Sequence, residues 1–541
     1  MFVWNKAIGI AVSVGILFSP LAAPAGAAQF SPENNKVLDA VFADPVPLKP
    51  STPLACPVIA TNVNTGLTFC SIQEANDAPT TLAGHTISVM AGSYTTQTST
   101  INKSLTIIGA GTGVTLDGVN ATRVMTATDT AITLTLQNIT MTHGNGAGSL
   151  YSGYGGCLYT DAQTYSGGSV VLDKIGFVSC AASMYGGGAY VNSSATISAS
   201  QFTSNTATVH GGGAYINDST FITASQFTRN TSNVLGGGAF VDGSAVVSSS
   251  QFFANTGLYG GGGYIRSDAT ISASQFTSNT VQYEGGGVWV FGNGTINASQ
   301  FTSNTAQSGG GAFIASTATI SASQFSRNMA QQNGGGAYMN GSPTISGSQF
   351  TSNTAQQNGG GAYMSGNAAI SASQFVTNTA QQGGGAFISS GTGSIVNSLF
   401  ARNAAFSGLG DAIYICDPAV GLCGNMSIVF TTIANPTLMA GSAVYVGSAT
   451  GATLNVTNTI IVSHTIGISN TRTVNEDYNY FNANPTKIVT SGGGVTNSGP
   501  NHPAGAQKFV NPAGDDWRLV TGNPAINTGT NAGVYTDYFG N

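Results

Sequence analysis

Between Gly211 and Asn230 the chain reads GGGAYINDSTFITASQFTRN, and its neighbours repeat it almost word for word. A glycine triplet opens a unit at Gly186, Gly211, Gly236, Gly261, Gly285, Gly309, Gly334, Gly359 and Gly383, at intervals of 24 or 25 residues. A phenylalanine keeps the same interval from Phe177 to Phe400, and three residues after nearly every one stands an asparagine, from Asn205 to Asn403; Cys180 takes that place after Phe177. Each unit holds two short β-rich runs, A-Y-I and T-I-S-A-S, between Gly, Ser and Asn turns, and no window has helical periodicity. A run this short cannot bury an apolar face alone, but stacked units give every strand a parallel partner. The fold class expected is all-β, a right-handed parallel β-helix (solenoid) with 24–25-residue coils.

Within that coil each recurring residue has a position. The isoleucines of A-Y-I and T-I-S stack inward, and the phenylalanines form an inner column. Ile197 and Phe202 are five apart, so one straight strand cannot point both inward and a bend is expected near Ser200–Gln201. The asparagine suits a turn, since it tolerates left-handed φ, and its amide can bond the asparagine of the next coil. The glycines mark a corner where φ is positive or side chains would clash. Similar runs (Thr86–Met90, Leu105–Gly109, Val114–Asp117, Ile132–Met141, Ala412–Ile415, Ser427–Ile433, Ala443–Val446, Leu454–Val462) extend the helix to residues 85–470, most regular over 177–403. That amounts to roughly 15 coils and a stack of about 70 Å.

Composition agrees. Of 541 residues 74 are glycine, 41% are hydrophobic and only 6% are charged, against about 25% in ordinary soluble domains. With a net charge of -6 the chain carries no basic footprint for nucleic acid. Met1–Lys6, the apolar run Ala7–Phe18 and Ala25-Gly26-Ala27-Ala28 read as a secretory signal over residues 1–27, followed by a linker and cap over 28–84 and a C-terminal capping segment over 471–541. No later stretch is apolar enough for a transmembrane helix. The six cysteines, Cys56, Cys70, Cys157, Cys180, Cys416 and Cys423, suit disulfides in an exported chain, the sequence-adjacent pairs being the simplest connectivity.

Repeated G-G-A and F-x-x-N pairs, as in Gly211-Gly212-Gly213-Ala214 with Phe227-Thr228-Arg229-Asn230, resemble the repeats of chlamydial-type polymorphic outer membrane proteins. Cys70-Ser71-Ile72-Gln73-Glu74-Ala75-Asn76 resembles the C-S-L-R-E-A-I element ahead of many bacterial β-helices, and Ala91–Tyr94 and Leu105–Gly111 resemble the first coils of the same proteins. Asp516-Trp517-Arg518-Leu519 and Gly522-Asn523-Pro524-Ala525-Ile526-Asn527 resemble their closing segment. The resemblance implies surface display and adhesion. The chlamydial proteins also end in an outer-membrane barrel, and the alternating ten-residue strand series of such a barrel is not found here.

Four site hypotheses follow. The middle residue of A-Y-I should point outward, giving an aromatic stripe of Tyr190, Tyr215, Phe240, Tyr264, Trp289, Phe313, Tyr338, Tyr363 and Phe387 that could bind sugars or simply stack on itself. Asp218, Asp242 and Asp268, with Arg266, fall at nearly one place on successive coils, the pattern by which pectate-lyase-like β-helices hold calcium; solvated turn aspartates give the same pattern. Outward Thr/Ser columns from T-I-S and F-T-S could meet ice, although burial of the intervening Ile explains them as well. Catalysis is thinly supplied: between residues 181 and 400 the acids are Asp218, Asp242, Asp268 and Glu284, the bases Arg229, Arg266 and Arg327, and no pair of carboxyls is marked. The expectation is therefore a non-catalytic, exported adhesin-like protein, extracellular or on the outer-membrane surface, without a cofactor unless calcium, binding glycans or cell-surface proteins. A polysaccharide lyase or glycoside hydrolase is the alternative.

Overall fold

The computed structural model describes residues 56–95, 98–111, 113–128, 132–146, 151–161, 168–416, 423–447, 453–490, 495–499, 509–514, 516–521 and 523. The segment expected to be a signal, 1–27, lies outside them. The described chain is a parallel β-helix of about 15 turns. A typical coil has four short strands, Ala214–Ile216, Thr220–Thr223, Gln226–Thr228 and Thr231–Ser232, each paired in register with its equivalents one coil away. The first three columns join in one 47-stranded sheet, and the fourth makes a separate 10-stranded sheet from Ala181–Ala182 to Ala404–Leu409.

Register places like on like. The Ile197–Ile395 column lies inside, and the Phe177–Phe400 column stacks beside it with ring centroids 4.4–4.9 Å apart. The expected bend sits one residue early, at Ala199 (φ 48°), and recurs at Ala224, Ser249, Ala273, Ala298 and Ala322. The left-handed residue at the next corner is not the asparagine but the one before it: Ser204, Arg229, Ala254, Ser278, Ser303 and their equivalents. The turn thereby frees the asparagine to point inward, where it is fully buried. Asn304 shows the bonding. Its Oδ1 accepts from the backbone N and the Nδ2 of Asn279, both at 3.0 Å, while its own Nδ2 donates to Phe276 O (2.8 Å) and Asn328 Oδ1 (3.0 Å).

The glycine triplet has three separate causes. Gly211 has φ 67°; a Cβ on Gly212 would strike the carbonyls of Gly237 and Thr231; one on Gly213 would strike the carbonyl of Gly238 and press on Phe227 and Asn230. In the fourth unit the sequence offers four glycines, and the structure starts the triplet at Gly260 (φ 61°) rather than Gly261, so Gly263 takes the alanine place opposite Ala239. That missing methyl, beside Val247, leaves a small apolar void of about 10 Å³ lined by Ile222, Phe252, Ile265 and Phe276.

Both ends depart from the repeat. Ile72–Asp77 is a short helix whose Ser71 Oγ accepts from Glu74 N (3.0 Å) while Glu74 Oε2 accepts from Cys70 N (2.9 Å). The strand Ala60–Asn62 runs antiparallel to Thr86–Val89, closing an edge that would otherwise template other strands. At the far end the coils do not stop near 470: parallel pairing continues to Val495–Ser498. Of the expected C-terminal cap, the hairpin of Phe509–Asn511 with Asp516–Leu519 folds back against the flank, burying Trp517 on Leu399, Ala401, Ala434 and Val462. The three disulfides are Cys56–Cys70, Cys157–Cys180 and Cys416–Cys423. Cys157 occupies the third-glycine place and Cys180 the asparagine place, so the bond replaces the Gly–Asn contact of later coils.

Asn304→Ala strands two buried donors and a carbonyl, and it should lower stability by about 2–5 kcal/mol in denaturant unfolding, against a change within about 0.5 kcal/mol for Ser303→Ala. Gly263→Ala, whose added Cβ meets nothing closer than 3.8 Å, should raise the melting temperature, by about 1 kcal/mol of added stability.

Candidate functional site

The nine stripe residues do form one column on the outer side of the A-Y-I sheet. They do not form an open platform. Successive rings lie 4.3–6.0 Å apart and within 17° of parallel, so each face is covered by its neighbours. Phe240, Trp289, Phe313, Tyr363 and Phe387 are buried; Tyr190, Tyr215, Tyr264 and Tyr338 are half-buried. The coil spacing is close to the contact distance of two rings, which is why an aromatic at every coil collapses on itself. A second row, Tyr185 and His210, leans on it, and Glu284 Oε2 accepts from Trp289 Nε1 at 3.0 Å. Burial raises the Tyr190, Tyr215 and Tyr338 phenols and pushes Tyr264 up to about 12. The column also runs further than the repeats mark it, to Tyr159 on one side and to Tyr414 and Tyr445 on the other. L-Y-T, I-Y-I and V-Y-V are the signals, masked by longer coils.

The three aspartates do not converge. Asp242 Oδ1 pairs with Arg266 Nη1 at 2.9 Å, Asp218 Oδ1 accepts from Ser219 N (2.7 Å), and Asp268 Oδ1 accepts from Asn293 N (2.8 Å). Their offsets from the following in-register residues Thr220, Ala245 and Ala269 differ, so they occupy different places on the turn. Among the described residues no group of three or more His, Cys, Asp or Glu side chains could hold a metal ion.

What lies open is the face built by T-I-S and Q-F-T. One column is glutamine at Gln201, Gln226, Gln251, Gln275, Gln300, Gln324, Gln349 and Gln374, exposed as far as Gln349. Beside it run Thr203, Thr228, Thr277, Thr302, Ser326 and Thr351, and across the bend the hydroxyls of T-I-S. Alternation forces this: with Ile and Phe inward, the residues on either side must face out. Phe221, Val246 and Phe253 interrupt the array and are exposed. Toward the C-terminus the T-I-S columns end in a shallow polar groove of about 330 Å³ at Asn455, Thr457, Asn475, Asp477 and Asn497, whose amides form a ladder at 2.8–2.9 Å.

Sequence reasoning also missed two buried ionisable sites. Arg123 donates to Gly155 O (2.9 Å) and Tyr151 O (3.0 Å) and stands over the Tyr159 ring; burial lowers it to about 10. Asp411 takes the second-glycine place, where the ten-stranded sheet ends at Ala404–Leu409; its Oδ1 accepts from Ala405 N (2.9 Å). His464 lies 4.0 Å away, too far for a hydrogen bond, with Nδ1 2.9 Å from Val462 O and Nε2 2.9 Å from Asn435 Nδ2, an arrangement that fits the neutral Nδ1–H tautomer. Burial disfavours charge on both, pushing Asp411 up to about 7 and His464 down to about 4. Burial thus favours the neutral form of each over a salt bridge between them.

No protein-family model matches the chain, and no curated protein sequence does. Among solved structures it is similar to the periplasmic alginate epimerase AlgG, at 10% identity and a TM-score of 0.22, with 76% of this chain and 85% of that one covered. Among the described residues no helix is long and apolar enough to cross a membrane.

The buried pair sets a pH test. Folded Asp411 keeps its proton to about pH 7 where the unfolded chain loses it near 4, so it makes stability fall as pH rises over that interval. Folded His464 refuses a proton that the unfolded chain takes below about 6.5, so it makes stability rise with pH from about 4 to 6.5. The two slopes oppose each other. Asp411→Asn should uncover the histidine slope, up to about 1.4 kcal/mol per pH unit between pH 4 and 6.5, in denaturant melts across pH.

Proposed function

We propose that this chain is an exported, adhesin-like rod that binds glycans or cell-surface partners through an extended face and does not turn them over. The observation that carries the reading is the Gln/Thr/Ser array: exposed glutamines flanked by half-buried hydroxyls, repeated coil after coil in register. Such an array offers many weak equivalent contacts, which suits retention on a repetitive surface. Three disulfides support an oxidising, exported setting. The resemblance of the repeats to polymorphic outer membrane proteins supports surface display. The aromatic column then serves as a stiffener under the binding function rather than as its contact surface.

A glycan-array and cell-binding screen of residues 28–541 tests this. Changing Gln275, Gln300 and Gln324 together to alanine should lower binding about tenfold while leaving the melting temperature in place, because all three side chains are exposed. Binding that ignores the glutamines, or turnover of a polysaccharide by the native chain, would sink the reading.

A further inference from the structure

Resting on that reading of the face, we propose that its ligand is an uncharged β-linked polysaccharide lying along the helix axis over the glutamine and hydroxyl columns between Gln201 and Gln374. Three observations converge on this class.

The first is charge. The four outward columns contain no ionisable residue between Thr196 and Val376. The charged residues of these coils sit in corners, and those bordering the face, Arg229 and Arg327, stand four coils apart. A polyuronate or sulfated glycan would find no basic stripe to follow. Glutamine amides and Thr/Ser hydroxyls both donate and accept, which matches sugar hydroxyls without a Coulombic handle.

The second is an internal comparison. Followed past Gln374, the glutamine column changes to Leu399, Thr432 and Ile460, and the column beside it to Ala401, Ala434 and Val462. This is where the chain's own C-terminal hairpin lies on the face and buries Trp517. Under the hairpin these two columns are apolar apart from Thr432; where nothing covers them they are amide and hydroxyl apart from Phe253. The uncovered stretch has the chemistry of a surface that meets a hydroxyl-rich ligand.

The third is geometry. One coil advances about 4.8 Å, close to the length of one sugar in an extended β-linked chain, so successive sugars can meet successive coils. Phe221 and Phe253 stand 56% and 41% exposed on this face, with no stacked ring partner among the described residues. Unlike the rings of the packed column they can cover the apolar face of a pyranose ring.

The test is depletion of the full chain from solution by insoluble cellulose, β-1,3-glucan and chitin, and affinity electrophoresis in alginate and polygalacturonate, each at low and high salt. Binding to an uncharged polymer that changes less than about twofold with salt, and falls about tenfold in Phe221→Ala/Phe253→Ala, is the expected result. Circular-dichroism melts confirm that this variant folds. Binding only to the charged polymers, lost in high salt and in the triple glutamine variant, would overturn the ligand class and leave the face as the binding surface. Binding to an uncharged polymer that survives both sets of substitutions would overturn the face as well. Absence of binding to every polysaccharide overturns the inference, and a cell-binding signal that still depends on the glutamines then preserves the broader reading.

Discussion

In-register stacking of parallel strands is the constraint on which everything else here depends. It sets each residue directly over its counterpart one coil away, so a side chain is chosen for how it packs against a copy of itself. Phenylalanine passes that test by stacking and isoleucine by nesting. Asparagine passes it because one amide can accept from the coil before and donate to the coil after. The ladder saturates polar groups in a place where unmet ones would be severe, and it explains how a core can carry a buried amide in coil after coil. Glycine enters for the opposite reason: at Gly212 and Gly213 the approach of the next coil leaves no room for a Cβ.

The same constraint turns a surface into an array. Outward positions repeat as faithfully as inward ones, so any face has one composition over many coils until the sequence changes it. The aromatic column shows the limit of this. Rings repeated at the coil spacing spend their faces on each other, and a row that reads as a ladder of platforms becomes a rigid spine. Hydroxyls and amides are too small to close over themselves in that way and stay open to solvent. The fold thus sorts its own rows into spine and contact surface by side-chain size.

The coils beyond Asn403 follow a different logic. The ten-stranded sheet ends, and with it the wall that keeps the second glycine bare; Asp411 grows into the space and approaches His464, which in turn bonds Asn435, both from later coils. Burial pushes both ionisable groups toward their neutral forms. On the flank where the Phe509–Leu519 hairpin lies, the outward positions that meet Trp517 are apolar: Leu399, Ala401, Ala434 and Val462.

Repetition of the Gly211–Asn230 unit made the fold legible: the coil length, the inward Ile and Phe and the asparagine ladder follow from its spacing, while the disulfide pairs were only the simplest of several connectivities. It could not tell the exposed row from the covered one, because Tyr215 and Gln226 both alternate outward and only the distance to the next coil decides that rings cover each other. It placed the left-handed corner on Asn205 rather than Ser204, since asparagine tolerates that φ, and the inward demand for its amide emerges only in the stack. Nor could it see Asp411 beside His464, 53 residues apart in sequence, or Trp517 lying on Ala401. Local spacing fixes what lies one coil away; contacts that skip coils or double back belong to the tertiary structure, because no period in the chain connects them.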